Sequence, residues 1–241
     1  MGEYNMTNHK ESSFDFMAIA DRFISEVNLG SLADEFTKKY AEKVESMGQV
    51  NIIVAGRTGV GKSSLINAAF RENIAETGMG DPVTSSIRLI EKAGVPVKIY
   101  DTVGLELNYD TQKASISEIN ELIRTHQNKD VTEMIHLIWY CVSVESERFE
   151  NVEEEFLRNI ASNNVPTMVV LTKAFDKELT AKFQETLESK DLPVRNMFPV
   201  LAHDKLDFKA YGVDELVEYS VQLLPEAVQA AWIAAARTIS L

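Results

Sequence analysis

The 241-residue chain has little of what a secreted or membrane-bound protein needs. Its one cysteine, Cys141, has no partner for a disulfide, which excludes a cross-linked extracellular scaffold and fits a reducing, cytoplasmic setting. No apolar signal core follows Met1, and position six, where myristoylation favours a hydroxyl residue, holds Met6. The longest apolar stretches, residues 134–144 and 227–236, fall short of the ~20 residues that a membrane-spanning helix needs. Positive charge is also scarce, with 24 Lys and Arg against 37 Asp and Glu and a formal net charge of −13. That balance disfavours bulk attraction to DNA, RNA or anionic lipid, yet a local positive site can still hold a small anion. There is no internal repeat and no low-complexity linker. With 45% hydrophobic residues, the chain has enough apolar side chains to fold around a core.

What is present falls into three stretches. Between residues 14 and 47, Phe16, Ile19, Phe23 and Val27, then Leu32, Phe36, Tyr40, Val44 and Met47, recur at three- and four-residue steps, predicting two amphipathic helices. From Val50 the texture changes to short β-branched runs alternating with helical patterns, the mark of βαβ units and a mostly parallel sheet. The expected strands are residues 50–55, 86–92, 97–101, 134–142, 167–172 and 197–201. The expected helices are residues 62–71, 112–128, 150–163, 177–189 and 213–224. Alternation fails once, at Ala93-Gly94, where two strands join as a hairpin and make one edge strand antiparallel. Pro225 ends a helix and opens an Ala-rich one that stops abruptly, as the start of a further domain does. The expected organisation is a helical extension over 1–48, an α/β domain over 49–224 and a C-terminal helix over 225–241.

The run from Val50 to Ala55 leads directly into Gly56-Arg57-Thr58-Gly59-Val60-Gly61-Lys62-Ser63-Ser64, and a helical pattern follows. Strand, glycine-rich loop and helix in that order form a phosphate-binding loop. Glycines let successive backbone N–H groups turn inward around a β-phosphate, and the helix aims its positive end at the same anion. Lys62 is expected to reach the β/γ oxygens and the Ser63 hydroxyl to bind Mg²⁺.

A second strand, Val97-Lys98-Ile99-Tyr100, ends in Asp101-Thr102-Val103-Gly104. Asp101 there can hold Mg²⁺ through a water, and the Gly104 N–H can sense a γ-phosphate. Between the two motifs, the stretch from Gly78 to Ser86 supplies Thr84 as a candidate second hydroxyl ligand of Mg²⁺, with Thr77, Ser85 and Ser86 as competitors.

These residues make the chain resemble a Ras-like, TRAFAC-class P-loop GTPase, nearest to the bacterial Era-like, HSR1-related GTPases. The similarity spans roughly residues 50–224. It implies a P-loop NTPase G domain: a mostly parallel six-stranded sheet with one antiparallel edge strand, helices on both faces, and helical extensions at each end. It also implies GTP or GDP with Mg²⁺ as ligands, with Lys62, Thr84 and Gly104 serving catalysis and Ser63, Thr84 and Asp101 the metal. Nucleotide contacts are expected from Gly56, Arg57, Thr58, Gly59, Val60, Gly61, Lys62, Ser63 and Ser64, and from Thr172, Lys173, Asp176 and Ala202. Partners implied are an activating protein or a second copy of the chain. Some members carry a hydrophobic C-terminal domain after a segment like Leu224-Pro225-Glu226-Ala227, and membrane contact is expected only through such a domain.

Two positions depart from the family pattern. In Thr172-Lys173-Ala174-Phe175-Asp176, a phenylalanine stands where an aspartate accepts two hydrogen bonds from guanine, and the acid comes one residue late. After Gly104, where a water-orienting Gln or His stands, the chain has Leu105. Three readings stay open: a slow GTPase switch, a nucleotide-gated scaffold with negligible turnover, and an ATPase of the same fold. Arg148 is expected in a structural ion pair. His136, Trp139, Tyr140 and Cys141 are expected in the core, and His126 and His203 have no metal-ligand spacing around them.

Overall fold

The computed structural model describes residues 48–70, 81–92, 95–102 and 109–237, together with 38, 39 and 42. The chain divides into two units, Met1–Glu42 and Lys43–Leu241. In the first, Lys38 and Glu42 are helical, and their charged groups stand 4.0 Å apart at the i, i+4 spacing. The rest of the two helices expected between 14 and 47 lies outside the described residues, as do residues 77–80, the Ala93-Gly94 turn, and Val103, Gly104, Leu105 and Glu106.

The second unit is built on one sheet. Its strands are β1 (Val50–Gly56), β2 (Asp81–Pro82), β3 (Ile87–Lys92), β4 (Val95–Thr102), β5 (Ile135–Ser143), β6 (Thr167–Thr172) and β7 (Met197–Pro199). They lie in the order β2-β3-β4-β1-β5-β6-β7. The six expected strands form the body of the sheet, with β4, β1, β5, β6 and β7 paired in parallel and β3 antiparallel to β4. One detail is corrected. β3 is not itself the edge, because β2 pairs outside it through Asp81–Leu89 and Pro82–Arg88. Two residues carry no periodicity to predict a strand, and Pro82, lacking an N–H, is at home in that outermost position.

Among the described residues of this unit the α-helices are α1 (Lys62–Ala69), α2 (Tyr109–Gln127), α3 (Asn151–Ala161), α4 (Lys177–Glu188), α5 (Val213–Leu223) and α6 (Glu226–Arg237). Strand alternation sorts the core into two layers. Ile52 and Val54 of β1 with Leu137, Trp139 and Cys141 of β5 join Leu65 of α1, Leu216 of α5 and Trp232 of α6 in one. Ile53, Ala55, Ile138 and Tyr140 point the other way, to Ile119 of α2, Phe156 of α3 and Phe183 of α4. The α6 helix is seated by Trp232, whose ring meets Phe70 and Trp139 edge-on at 5.5 and 5.6 Å and whose indole N–H donates to Val217 O at 3.1 Å. His136 is buried, as expected of a core residue. The Asn51 N–H donates to its Nδ1 at 3.0 Å, Val131 O lies 2.6 Å from its Nε2, and burial pushes its pKa below the usual histidine value. Among the described residues no helix is long and apolar enough to cross a membrane.

Candidate functional site

Parallel strands bring the C-terminal ends of β1, β4, β5 and β6 to one rim of the sheet, where such folds collect their ligands. At that rim β1 runs into the loop of residues 56–61. Gly56 has φ +142° against β5, and a Cβ there would lie 2.4 Å from the Cys141 carbonyl oxygen, so only glycine lets the two strands approach this closely. Gly61 caps α1 in the left-handed region at φ +104° while its carbonyl accepts the Leu65 N–H. Lys62, 8% exposed, folds its ammonium back over the loop and donates to the carbonyls of Gly56 at 3.0 Å and Arg57 at 3.1 Å. Ser63 stands exposed at the first turn of α1, with Ser64 beside it.

The loop is tied down from behind. Thr172 Oγ1, at the end of β6, lies 2.5 Å from Val60 O and 3.1 Å from Val142 O, so one hydroxyl joins the loop to two strand ends. The Arg57 side chain turns toward the start of α3, 3.6 Å from Glu150 and 3.8 Å from Glu153. Glu153 accepts the Glu150 N–H at 3.1 Å, and its burial raises its pKa. Thr58, Gly59 and Val60 line a cavity of about 310 Å³ together with Glu145 and Lys173.

Asp101 occupies the end of β4, in register with Val54 of β1. Its Oδ1 is buried without a hydrogen-bond partner. Burial raises its pKa, while the nearby Lys62 and Arg88 charges pull it back down. A buried carboxylate oxygen left without a partner near the Lys62 charge is a hard oxygen donor of the kind that Mg²⁺ takes, and the hydroxyl of Ser63, next to Lys62 in the sequence, is another.

Thr84 is not turned to that carboxylate. Its hydroxyl donates to Glu118 Oε2 of α2 at 2.5 Å, Ser85 Oγ donates to Oε1 at 2.7 Å, and the Ser86 N–H adds a third bond at 3.0 Å. Despite some burial, these bonds hold the Glu118 carboxyl below its usual pKa. No periodicity marks Glu118 in the sequence, because its partners lie more than thirty residues upstream.

At the far end of the groove, Lys173 sits at φ +56° with Nζ 3.2 Å from Glu145, which also accepts Lys205 Nζ at 2.6 Å. The two lysines lower the Glu145 pKa, the Lys205 hydrogen bond most. Ala202, Lys173, Thr172, Ser64 and Gly61 line a second cavity of about 220 Å³. Asp176 is placed elsewhere: it is the N-cap of α4, its Oδ1 accepting the Leu179 N–H at 3.0 Å. Arg148 is exposed and, among the described residues, makes no ion pair, contrary to expectation; its backbone carbonyl accepts the Ser146 hydroxyl at 3.2 Å.

A glycine-rich loop between a parallel strand and a helix, with a carboxylate at the end of the neighbouring strand, defines a P-loop G-domain protein. Comparison with known proteins gives the family: residues 51–173, just over half the chain, match the 50S ribosome-binding GTPase family, and the chain belongs to it. Guanine nucleotide with Mg²⁺ is that family's ligand class. Among curated relatives, cell division control protein 10 of Saccharomyces cerevisiae is 26% identical over 79% of this chain and 64% of its own length. The tRNA modification GTPase MnmE of Treponema denticola is 27% identical over 77% of this chain and 38% of its own. The chain thus spans less than two thirds of each. Among solved structures, the LeoA bacterial dynamin GTPase superposes with a TM-score of 0.56 at 17% identity, covering 78% of this chain and 38% of that one. Era in complex with MgGDPNP and a 16S ribosomal RNA fragment gives 0.50 at 17% identity, covering 75% and 58%. At these identities the two structures establish the fold alone.

Proposed function

We propose that this protein binds GTP with Mg²⁺ in the groove headed by residues 56–64 and acts as a switch that hydrolyses GTP slowly to GDP and phosphate. The observation that carries the reading is the open, buried Asp101 oxygen beside Lys62, at the mouth of a strand-to-helix glycine loop. Ser63, and Asp101 through a water, are the residues to hold the metal, which when bound neutralises charge on the β- and γ-oxygens. Lys62 swings its ammonium from the loop carbonyls to the phosphoryl oxygens and, with the loop amides, stabilises charge as water attacks in line. Thr84, which now donates to Glu118, would supply a further hydroxyl to the metal on turning toward Asp101, and these two arrangements would be the two states of the switch. Leu105 has no polar group to orient water, so turnover is slow until a partner, either an activating protein or a second copy, supplies one. Residues 1–48 and 225–241 are read as helical extensions of the nucleotide domain.

Titration calorimetry with GDP, a GTP analogue and ATP tests this. Guanine nucleotides should bind with Mg²⁺ and ATP should not; a failure of every guanine nucleotide to bind ends the proposal. Leu105 also favours a second reading, an interaction module gated by nucleotide without turnover. Phosphate release in the wild type that disappears in Lys62→Ala decides against it, and a rise in specific rate with protein concentration identifies the second copy as activator.

A further inference from the structure

The base end of the groove lacks its expected reader. Phe175 stands in the acid's place, its ring 6.1 Å from that of Phe208 and with Lys205 Nζ 4.1 Å from its centroid. Asp176, one residue on, engages its carboxylate in capping α4 and does not line the 220 Å³ cavity. One carboxylate does line it. Asp204 follows Ala202 by two residues in the 200–205 segment, which forms the wall opposite Gly61 and Ser64.

We propose that Asp204 reads the base, accepting the N1–H and N2–H groups of guanine in place of the acid missing at Phe175. This rests on the reading of the groove as a nucleotide site. Asp204 is positioned before any ligand arrives: Oδ1 accepts the Ala210 N–H at 2.8 Å and Oδ2 accepts Lys209 Nζ at 2.6 Å. An ionised carboxylate offers about four lone-pair sites, so both oxygens keep room for the base. The Lys209 side chain is 87% exposed, and an ion pair so open to water yields readily. The rest of the cavity suits the same base. Lys205, held at the wall by Glu145, is a donor, as is the Ala202 backbone, and guanine O6 is an acceptor. Along its edge guanine presents acceptor, donor, donor; adenine presents donor, then acceptor, and so meets like with like at both places. The Asp204 and Lys205 side chains are about half exposed, so the discrimination comes from the hydrogen bonds that adenine cannot make with them.

The test compares guanosine, xanthosine, inosine and adenosine diphosphates by calorimetry with Mg²⁺. In Asp204→Asn the acceptor oxygen becomes an amide donor suited to the 2-oxo group of xanthine, while its remaining oxygen still accepts the Ala210 N–H. Affinity for guanosine diphosphate should fall about 100-fold and that for xanthosine diphosphate should rise at least about tenfold. Asp176→Asn should leave the guanosine-to-xanthosine ratio unchanged. Inosine lacks the 2-amino group, so the wild type should bind it about tenfold more weakly than guanosine, and this penalty should vanish in Asp204→Ala. A wild type that binds guanosine diphosphate, with a ratio that Asp204→Asn leaves alone or that Asp176→Asn inverts, overturns this assignment and leaves the proposed function standing. A wild type that binds no guanine nucleotide overturns both.

Discussion

The two ends of the groove solve the recognition problem differently. At the phosphate end, in the function proposed above, main-chain amides and one lysine would do the work, and their positions follow from the spacing of glycines between a strand and a helix. At the base end, recognition depends on which side chain a loop turns inward, and a one-residue shift from Phe175 to Asp176 sends the carboxylate to a helix cap instead. Backbone recognition is written in local sequence; side-chain recognition is written in tertiary structure.

Breaking the phosphate end should have the largest effect. Lys62→Ala removes the only buried cation at the loop and should weaken GTP-analogue binding by about 100-fold or more, read by calorimetry. Freeing the loop that carries Thr84 comes next. Glu118→Gln weakens the three bonds that hold residues 84–86 and should raise affinity for the GTP analogue by about tenfold with little change for GDP, since in the proposed switch only the triphosphate recruits Thr84. Equal gains for both nucleotides would sever Thr84 from the triphosphate.

Asp176→Ala sharpens the contrast at the base end. It should cost about 1 kcal/mol of stability through the lost cap, measured by urea unfolding, without altering the preference for guanine over adenine. The smallest effect concerns Asp101. Its pKa is raised by burial, so the folded state holds the proton more tightly than the unfolded chain, and ionising Asp101 costs stability as pH rises through that window. Asp101→Asn should therefore raise the Tm of the nucleotide-free protein at neutral pH, by about 2–4 °C if the gain is about 1 kcal/mol. The same substitution should abolish the gain in triphosphate affinity from Mg²⁺. In the wild type that gain should fade on acidification above the ordinary aspartate range.

How far the sequence could be read follows from the same distinction. Each of the long strands announced itself through β-branched runs, and the P-loop through its spacing. β2 did not, because two residues have no period and its pairing with Arg88 and Leu89 is a tertiary event. Glu118 and Asp204 are equally silent in the sequence: a glutamate on a helix and an aspartate in a polar loop look like ordinary solvated charges until their partners, distant in the chain for Glu118 and across a short loop for Asp204, are known. Conversely, Asp176 lies beside a motif, but its spacing to Leu179 is also that of a helix N-cap.

The joint between Trp139 and Trp232 has a practical corollary. These are the chain's two tryptophans, edge-on at 5.6 Å and both fully buried, one in β5 and the other in α6. All indole fluorescence therefore originates at a single seam, between the central sheet and the last helix. Lifting that helix would expose both rings together, shifting emission to the red and erasing the near-ultraviolet dichroism of the coupled pair, so the molecule carries a built-in optical gauge of whether its carboxyl-terminal helix is docked.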